Sequence, residues 1–309
     1  MLRTFLWLLV AGLPASCATT PSRDIALPAR RSVPLTAVVF SGHRYIVPAD
    51  VDLATDVPLM IHGNSRMYLS LTHRVGEKLN GGPVAKVEEY GYSSRGKGVV
   101  GVRRIRVGGE DYPGAPDVPV FDFAEENETP VQGMLGVPFL LASRAAVDFS
   151  RDRLLLDVTR NPEPDRALLA SGYRCVPILI GPGGRATVEV HFPAIGRALP
   201  ITPSTVSTAL TLHLSRFAGK VPMVQESQDR SPRGTTPDEF RSNRVEFEIA
   251  GVRMWSPASF ENLAEYGKVS ERNLETFGML GFDWMKERRA VIDYANRRLY
   301  FSARSVTPP

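Results

Sequence analysis

Two short segments of this sequence hold the residue types that could do chemistry. The first is Ile61-His62-Gly63-Asn64-Ser65, at the end of the apolar run Val57 to Ile61; the second is Ile201-Thr202-Pro203-Ser204-Thr205. A histidine and a hydroxyl become base and nucleophile when a fold brings them together, but the pair also needs an orienting acid and an oxyanion donor. Neither is signalled around His62, Thr202 or Ser204. His62 is therefore expected to be a loop histidine held by backbone hydrogen bonds, and no catalytic residue is assigned. The five histidines, His43, His62, His73, His191 and His213, lack close metal-ligand spacing, which argues against zinc, and nothing calls for a cofactor. Cys175 has no histidine or second cysteine beside it and is expected to be a buried, unreactive thiol near the start of a strand.

The chain that positions these segments repeats itself. Gly133-Met134-Leu135-Gly136 opens a stretch ending at Leu156, and Gly278-Met279-Leu280-Gly281 opens its match ending at Phe301, with Arg144/Arg289, Asp148/Asp293 and Arg153/Arg298 in register. A displacement of this size indicates two homologous lobes rather than a solenoid of short repeats. The 309 residues are enough for two domains that each bury a core. A hydrophobic content of 43% with 23% charged residues excludes a disordered chain or one built of membrane spans. The net charge of +4 comes with no basic run, so no nucleic-acid partner is expected.

Residues 1–18 read as an export signal: Arg3, then the apolar stretch Phe5 to Leu13, then small residues. Cys17 stands where a bacterial lipoprotein would carry its acyl chains, which places the protein in the periplasm or lipid-anchored at the cell envelope. Residues 19–33 form a Pro- and Arg-rich tether, 34–159 a first lobe, 160–170 a linker and 171–304 a second lobe. Strand-like runs recur at Leu35 to Phe40, Tyr45 to Val51, Val57 to Ile61, Gly98 to Val107, Val118 to Phe123 and Ala145 to Leu156. In the second lobe they recur at Val176 to Ile180, Ala186 to His191, Val245 to Ile249, Val252 to Ser256 and Ala290 to Phe301, with Gly181-Pro182-Gly183-Gly184 as a hairpin turn. Polar excursions at 80–97 and 225–243 read as surface loops or covers over a cleft. Phe139 and Trp284 should plug the two cores, and Arg288, Arg289, Arg297 and Arg298 should form a solvated basic face, with pairing to Glu287 or Asp293 as the alternative.

Gly133-Met134-Leu135-Gly136 with Phe139-Leu140 and Ala146-Val147-Asp148-Phe149, echoed by Gly278-Met279-Leu280-Gly281 with Trp284-Met285 and Val291-Ile292-Asp293-Tyr294, resembles the retropepsin-like aspartic peptidases. The resemblance implies an all-β fold of two β-barrel-like lobes about a pseudo-twofold axis, with few short helices and a cleft between the lobes. It also implies a catalytic Asp-Thr/Ser-Gly loop in each lobe. On that alignment the aspartate positions fall on Ile61 and Ile201, or on a neighbour of each, and no Asp lies within that slip. Asp52 and Asp56 lack the following Thr/Ser-Gly, while Asp148 and Asp293 match a structural strand position. Two carboxylates sharing a proton are required for the standard hydrolysis, and an aliphatic side chain cannot replace either.

The resemblance therefore implies an exported, monomeric protein without peptidase activity. Its cleft, with Ile61, His62, Gly63, Asn64, Ser65, Ile201, Thr202, Ser204 and Thr205 as candidate lining, would bind extended peptide. An endopeptidase using unconventional groups and a scaffold at the envelope are the alternatives.

Overall fold

The computed structural model describes residues 27–39, 42–84, 98–121, 130–206, 210–225, 240–264 and 271–304. The export signal with Cys17, the first part of the tether, residues 85–97 and 226–239 of the polar excursions, and Phe40 and Phe123 lie outside the described residues.

The fold is all-β with two lobes. A nine-stranded sheet makes the first lobe, an eight-stranded sheet makes the second, and a six-stranded sheet joins them. Alternation drives the strands: in His43–Val51 the residues Tyr45, Val47, Ala49 and Val51 are buried, while their neighbours are half-buried or exposed. After each Gly-Met-Leu-Gly the chain turns into a short helix, Val137–Ala142 or Phe282–Glu287. Phe139 and Trp284 are buried in the core, as the sequence led us to expect.

The joining sheet takes three strands from each half, in the order Ala29–Pro34, Arg153–Val158, Ala146–Asp148, Val291–Asp293, Arg298–Ser302, Tyr173–Pro177. At its centre Val147 faces Ile292, with Ala146 opposite Asp293 and Asp148 opposite Val291. Val147 and Ile292 are the same position of the two copies, so the pseudo-twofold axis passes between them. The backbone repeats with the sequence. Arg144 and Arg289 have φ of 46° and 48°, and Asp152 and Arg297 have 55° and 53°. Side chains at left-handed φ are unfavourable, and each copy keeps them at the same turns. Asp148 accepts from the N–H (2.9 Å) and hydroxyl of Ser150, and Asp293 accepts from the N–H of Asn296 (3.0 Å), so each aspartate holds the turn that follows it.

Several local expectations change. Ala29–Pro34, placed in the tether, is a strand paired with Arg153–Val158, because Val33 is buried and Arg31 pairs with Glu110 at 2.7 Å. The linker contains the helix Arg166–Ala170, whose Asp165 cap accepts from the N–H groups of Ala167 and Leu168. The run from Gly98 to Val107 divides into two strands, Gly98–Val100 and Arg104–Val107. The basic face is partly inside: Arg288 is buried beside Glu287, and Arg298 donates to the carbonyls of Asn161, Pro162 and Glu163, tying down the linker. Cys175 lies in a strand but is half-buried, and burial raises its thiol pKa.

Candidate functional site

The two chemistry-bearing segments meet where the lobes join. In the first lobe the strand Ala54–His62 runs parallel to Gly133–Gly136, with Met60 opposite Met134 and Ile61 opposite Leu135. In the second, Arg197–Pro203 runs parallel to Gly278–Leu280, with Thr202 opposite Met279 and Pro203 opposite Leu280. Because Met134 and Met279 are equivalent, Met60 corresponds to Thr202, Ile61 to Pro203, His62 to Ser204 and Gly63 to Thr205.

One bond pair seals the junction. The Thr205 hydroxyl donates to the Ile61 carbonyl at 2.7 Å and accepts from the Gly63 N–H at 2.8 Å, across the lobe boundary. Symmetry would call for the same bonds from residue 63 to Pro203 and Thr205. Gly63 has no side chain to make them, and a Cβ there would stand 2.8 Å from the Tyr294 hydroxyl, 3.2 Å from the Pro203 carbonyl oxygen and 3.5 Å from the Thr205 nitrogen. Tyr294 thus occupies the missing half. Its hydroxyl is buried without a hydrogen-bond partner, and burial raises its pKa.

This register corrects the alignment of Ile61 and Ile201 with the aspartate positions. In the resemblance read from the sequence an aspartate would immediately precede Thr or Ser; here the residue before Thr205 is Ser204, and its twofold mate is His62. Ile61 and Ile201 are both fully buried in the core, so neither lines a cleft floor. Alternation explains the misplacement: Leu59 and Ile61 point inward, while Met60 and His62 share the other face.

Several candidate lining residues have internal roles instead. Ser204 is buried, its hydroxyl donating to the Val206 carbonyl (2.6 Å) and accepting from the Val206 N–H (3.1 Å), so its proton is committed within its own loop. Thr202 and Thr205 are likewise fully buried. His62, Asn64 and Ser65 remain half-buried. Ser65 accepts from the Met67 N–H at 3.2 Å, and Asn64 donates to the Met279 sulfur in the opposite lobe.

His62 Nδ1 accepts from the Asn64 N–H at 3.3 Å, which puts the proton of the neutral ring on Nε2. Burial first, then the charge of Arg44 and more weakly that of Arg185, hold its pKa down at about 4. Arg44 lies on the strand His43–Val51, and Arg185 lies in the turn before Ala186–Phe192. Ile46 faces Met60 in the antiparallel pair of His43–Val51 with Ala54–His62, and Arg44 lies two residues before Ile46 on its strand. Val188 faces Ile201 in the second lobe, and Arg185 immediately precedes the strand Ala186–Phe192. Directly opposed residues share a sheet face. On the face of His62 lies a small apolar cluster that crosses the boundary: Met60, Val131 and Val206 are buried, with Ile46 and Met134 partly exposed.

Ion pairs and aromatic contacts brace the lobes around this point. Lys286 donates to Asp152 at 2.6 Å and to the Phe149 carbonyl at 3.1 Å, and the buried Tyr45 hydroxyl donates to the same Asp152 oxygen. Phe282 packs against Tyr45 and Phe149. Arg66, just beyond the first loop, lies 3.3 Å from Glu275 of the second lobe, and Glu275 also accepts from the Gly183 N–H in the hairpin turn. That carboxylate is therefore already neutralised.

No family model matches the sequence, and no characterised protein matches it by sequence. Solved structures similar in shape include the following two. An aspartic proteinase from Irpex lacteus aligns with a TM-score of 0.48 at 13% identity, covering 88% of this chain and 96% of that one. Basic 7S globulin from soybean aligns with a TM-score of 0.41 at 14% identity, covering 90% and 96%.

Arg44, Arg185, Met60, Met134 and Tyr294 were not assigned to the site from the sequence. The alternation through Leu59-Met60-Ile61-His62 could have placed Met60 beside His62. Cross-strand register was needed for the rest.

Proposed function

We propose that this is an exported protein of aspartic-peptidase-like architecture that binds extended peptide between its lobes and does not hydrolyse it. The observation that carries this reading is the identity of the two loop positions, His62 and Ser204. Hydrolysis by this architecture needs two carboxylates sharing a proton, one to activate water and one to polarise the carbonyl. The positions here hold an imidazole that is neutral down to about pH 4 and a buried hydroxyl bonded within its own loop. A neutral His62 could serve as a base, but Ser204 offers no accessible nucleophile and His62 has no orienting acid among the bonds it makes. The apolar cluster beside His62 favours binding, since Ile46 and Met134 keep exposed surface for a ligand side chain.

The test is incubation of the purified protein, without its signal, with a mixed peptide library from acidic to neutral pH, reading products by mass spectrometry and retention by affinity capture. Retained, intact peptides are the expected result. Specific cleavage that is abolished in His62→Gln would replace this reading with that of a peptidase using unconventional groups.

A further inference from the structure

The first-lobe loop that carries His62 is fastened to the second lobe at two further points. Asn64 donates to the Met279 sulfur, and the Arg66 guanidinium lies 3.3 Å from Glu275 on the segment that leads to Met279. Glu275 also accepts from the Gly183 N–H, so one carboxylate gathers the first-lobe loop and the turn of the second-lobe hairpin. Both ends of this contact stand on fixed backbone. The Ser65 N–H donates to the His62 carbonyl at 3.0 Å, and the Ser65 carbonyl accepts from the Val137 N–H at 2.9 Å. Directly after Glu275, the Thr276 hydroxyl and the Phe277 N–H donate to the Pro200 carbonyl at 3.2 and 2.9 Å.

The hairpin turn is shaped around the pair. A Cβ on Gly183 would stand 2.7 Å from a Glu275 oxygen and 2.9 Å from an Arg66 nitrogen, and one on Gly181 would stand 3.0 Å from the same carboxylate. Glycine lets the turn close onto the two charges. Glu275 is thereby largely enclosed, its side chain 16% exposed against 38% for Arg66. The twofold-related flank is built differently. Pro130 holds the place of Glu275 in the first copy, and the contact described beside it is apolar, Val131 clustering with Val206 and Met60.

We infer that Arg66, Glu275 and the turn at 181–184 form a clasp that holds the two lobes closed on one flank, and that peptide is admitted when Arg66 parts from Glu275. This inference rests on the peptide-binding reading and adds its regulation. The side-chain pair is the adjustable part, because the backbone on either side of it is bonded within its own lobe. A carboxylate that holds a guanidinium and an N–H together is bound more firmly than an isolated surface pair, yet Arg66 is open enough to solvent for salt to screen it. Only molecules with the clasp open can take up ligand, so weakening it speeds association.

The test is association of the purified protein, without its signal, with an immobilised mixture of capped decapeptides lacking Asp, Glu, Lys, Arg and His, followed by interferometry from low to high sodium chloride. The unaltered protein should bind faster as salt rises. Arg66→Gln and Glu275→Gln should each raise the rate at low salt by about tenfold and lose the salt dependence, and the double variant should be no faster than either. Gly183→Ala, which keeps both charges and crowds them, should also be faster. Arg253→Gln, which breaks the pair with Glu246 inside the second lobe, should behave as the unaltered protein. Equal rates in all the proteins overturn the clasp and leave peptide binding intact, as does acceleration that is additive in the double variant. Binding by none of them overturns the peptide reading and this inference with it. The salt series on the unaltered protein stands even if a variant folds poorly, and a rate that salt does not raise also overturns the clasp.

Discussion

The Tyr294 hydroxyl and Gly63 fit together as one unit: the phenol fills the space that a side chain on residue 63 would need, 2.8 Å from its would-be Cβ. Of the twofold-related bonds that could link the two loops here, only those of Thr205 are made.

Gly63→Ala should destabilise the protein by about 1–3 kcal/mol, because the new methyl meets the Tyr294 hydroxyl and the Pro203 carbonyl within a packed core. Tyr294→Phe alone should be neutral or slightly stabilising, since it removes a buried hydroxyl that has no partner. The double variant should be less damaged than the sum of the two predicts, which urea denaturation in a double-mutant cycle will show. Strict additivity would mean that the two residues do not share the space.

Thr205→Val keeps the shape but removes both bonds across the junction, leaving the Gly63 N–H and the Ile61 carbonyl unpaired. A loss of roughly 2–4 kcal/mol is expected from two stranded polar groups. Thr205→Ser, which keeps the hydroxyl, should restore most of it, and thermal melts of the three proteins provide the comparison.

The depressed pKa of His62 links stability to pH. Above about pH 6.5 the ring is neutral folded or unfolded and contributes nothing. As pH falls from there toward about 4, the unfolded chain takes up a proton that the folded chain refuses, so stability declines. The decline levels off below the folded value, after a loss of up to about 3 kcal/mol. His62→Gln should lack this component, so the difference between the two proteins in denaturation midpoint should narrow between pH 6.5 and 4. A constant difference would show that His62 titrates normally.

Asp152 gathers the Tyr45 hydroxyl and the Lys286 ammonium from opposite lobes. Asp152→Ala should cost about 2 kcal/mol, mainly by stranding the buried phenol, and its left-handed φ of 55° adds strain for alanine. Asp152→Asn tolerates that backbone and still accepts from Tyr45, so it should lose well under half as much. Chemical denaturation in low salt distinguishes the two.

Much of the architecture was legible because duplication leaves a mark that no single propensity can. Gly133/Gly278 and Asp148/Asp293 fixed the displacement, and the helix after each Gly-Met-Leu-Gly followed. The first strand, Ala29–Pro34, was hidden because Pro and Arg dominate it and its partner lies more than a hundred residues away. The site was legible only in outline. His62 and Ser204 were visible as residues able to react, but Ile61 and Ile201 were given their places because both follow apolar runs. Only pairing with the Gly-Met-Leu strands settles the register, since Met134 and Met279 fix Met60 and Thr202 as equivalents. Arg44 and Arg185 had no local signal at all. Arg44 comes from a neighbouring strand and Arg185 from the hairpin turn of the other lobe, and sequence spacing does not report neighbours of that kind.

The central pairing of Val147 with Ile292 also bears on what half of this protein would be. Ala146–Asp148 lies antiparallel to the strand that is its own repeat, so the edge is self-complementary. A lobe produced alone would carry that edge open and would find in a second copy of itself the surface it had lost. Cutting the linker gene between the repeats would then yield a twofold homodimer with two histidines or two serines at its junction, rather than two independent domains.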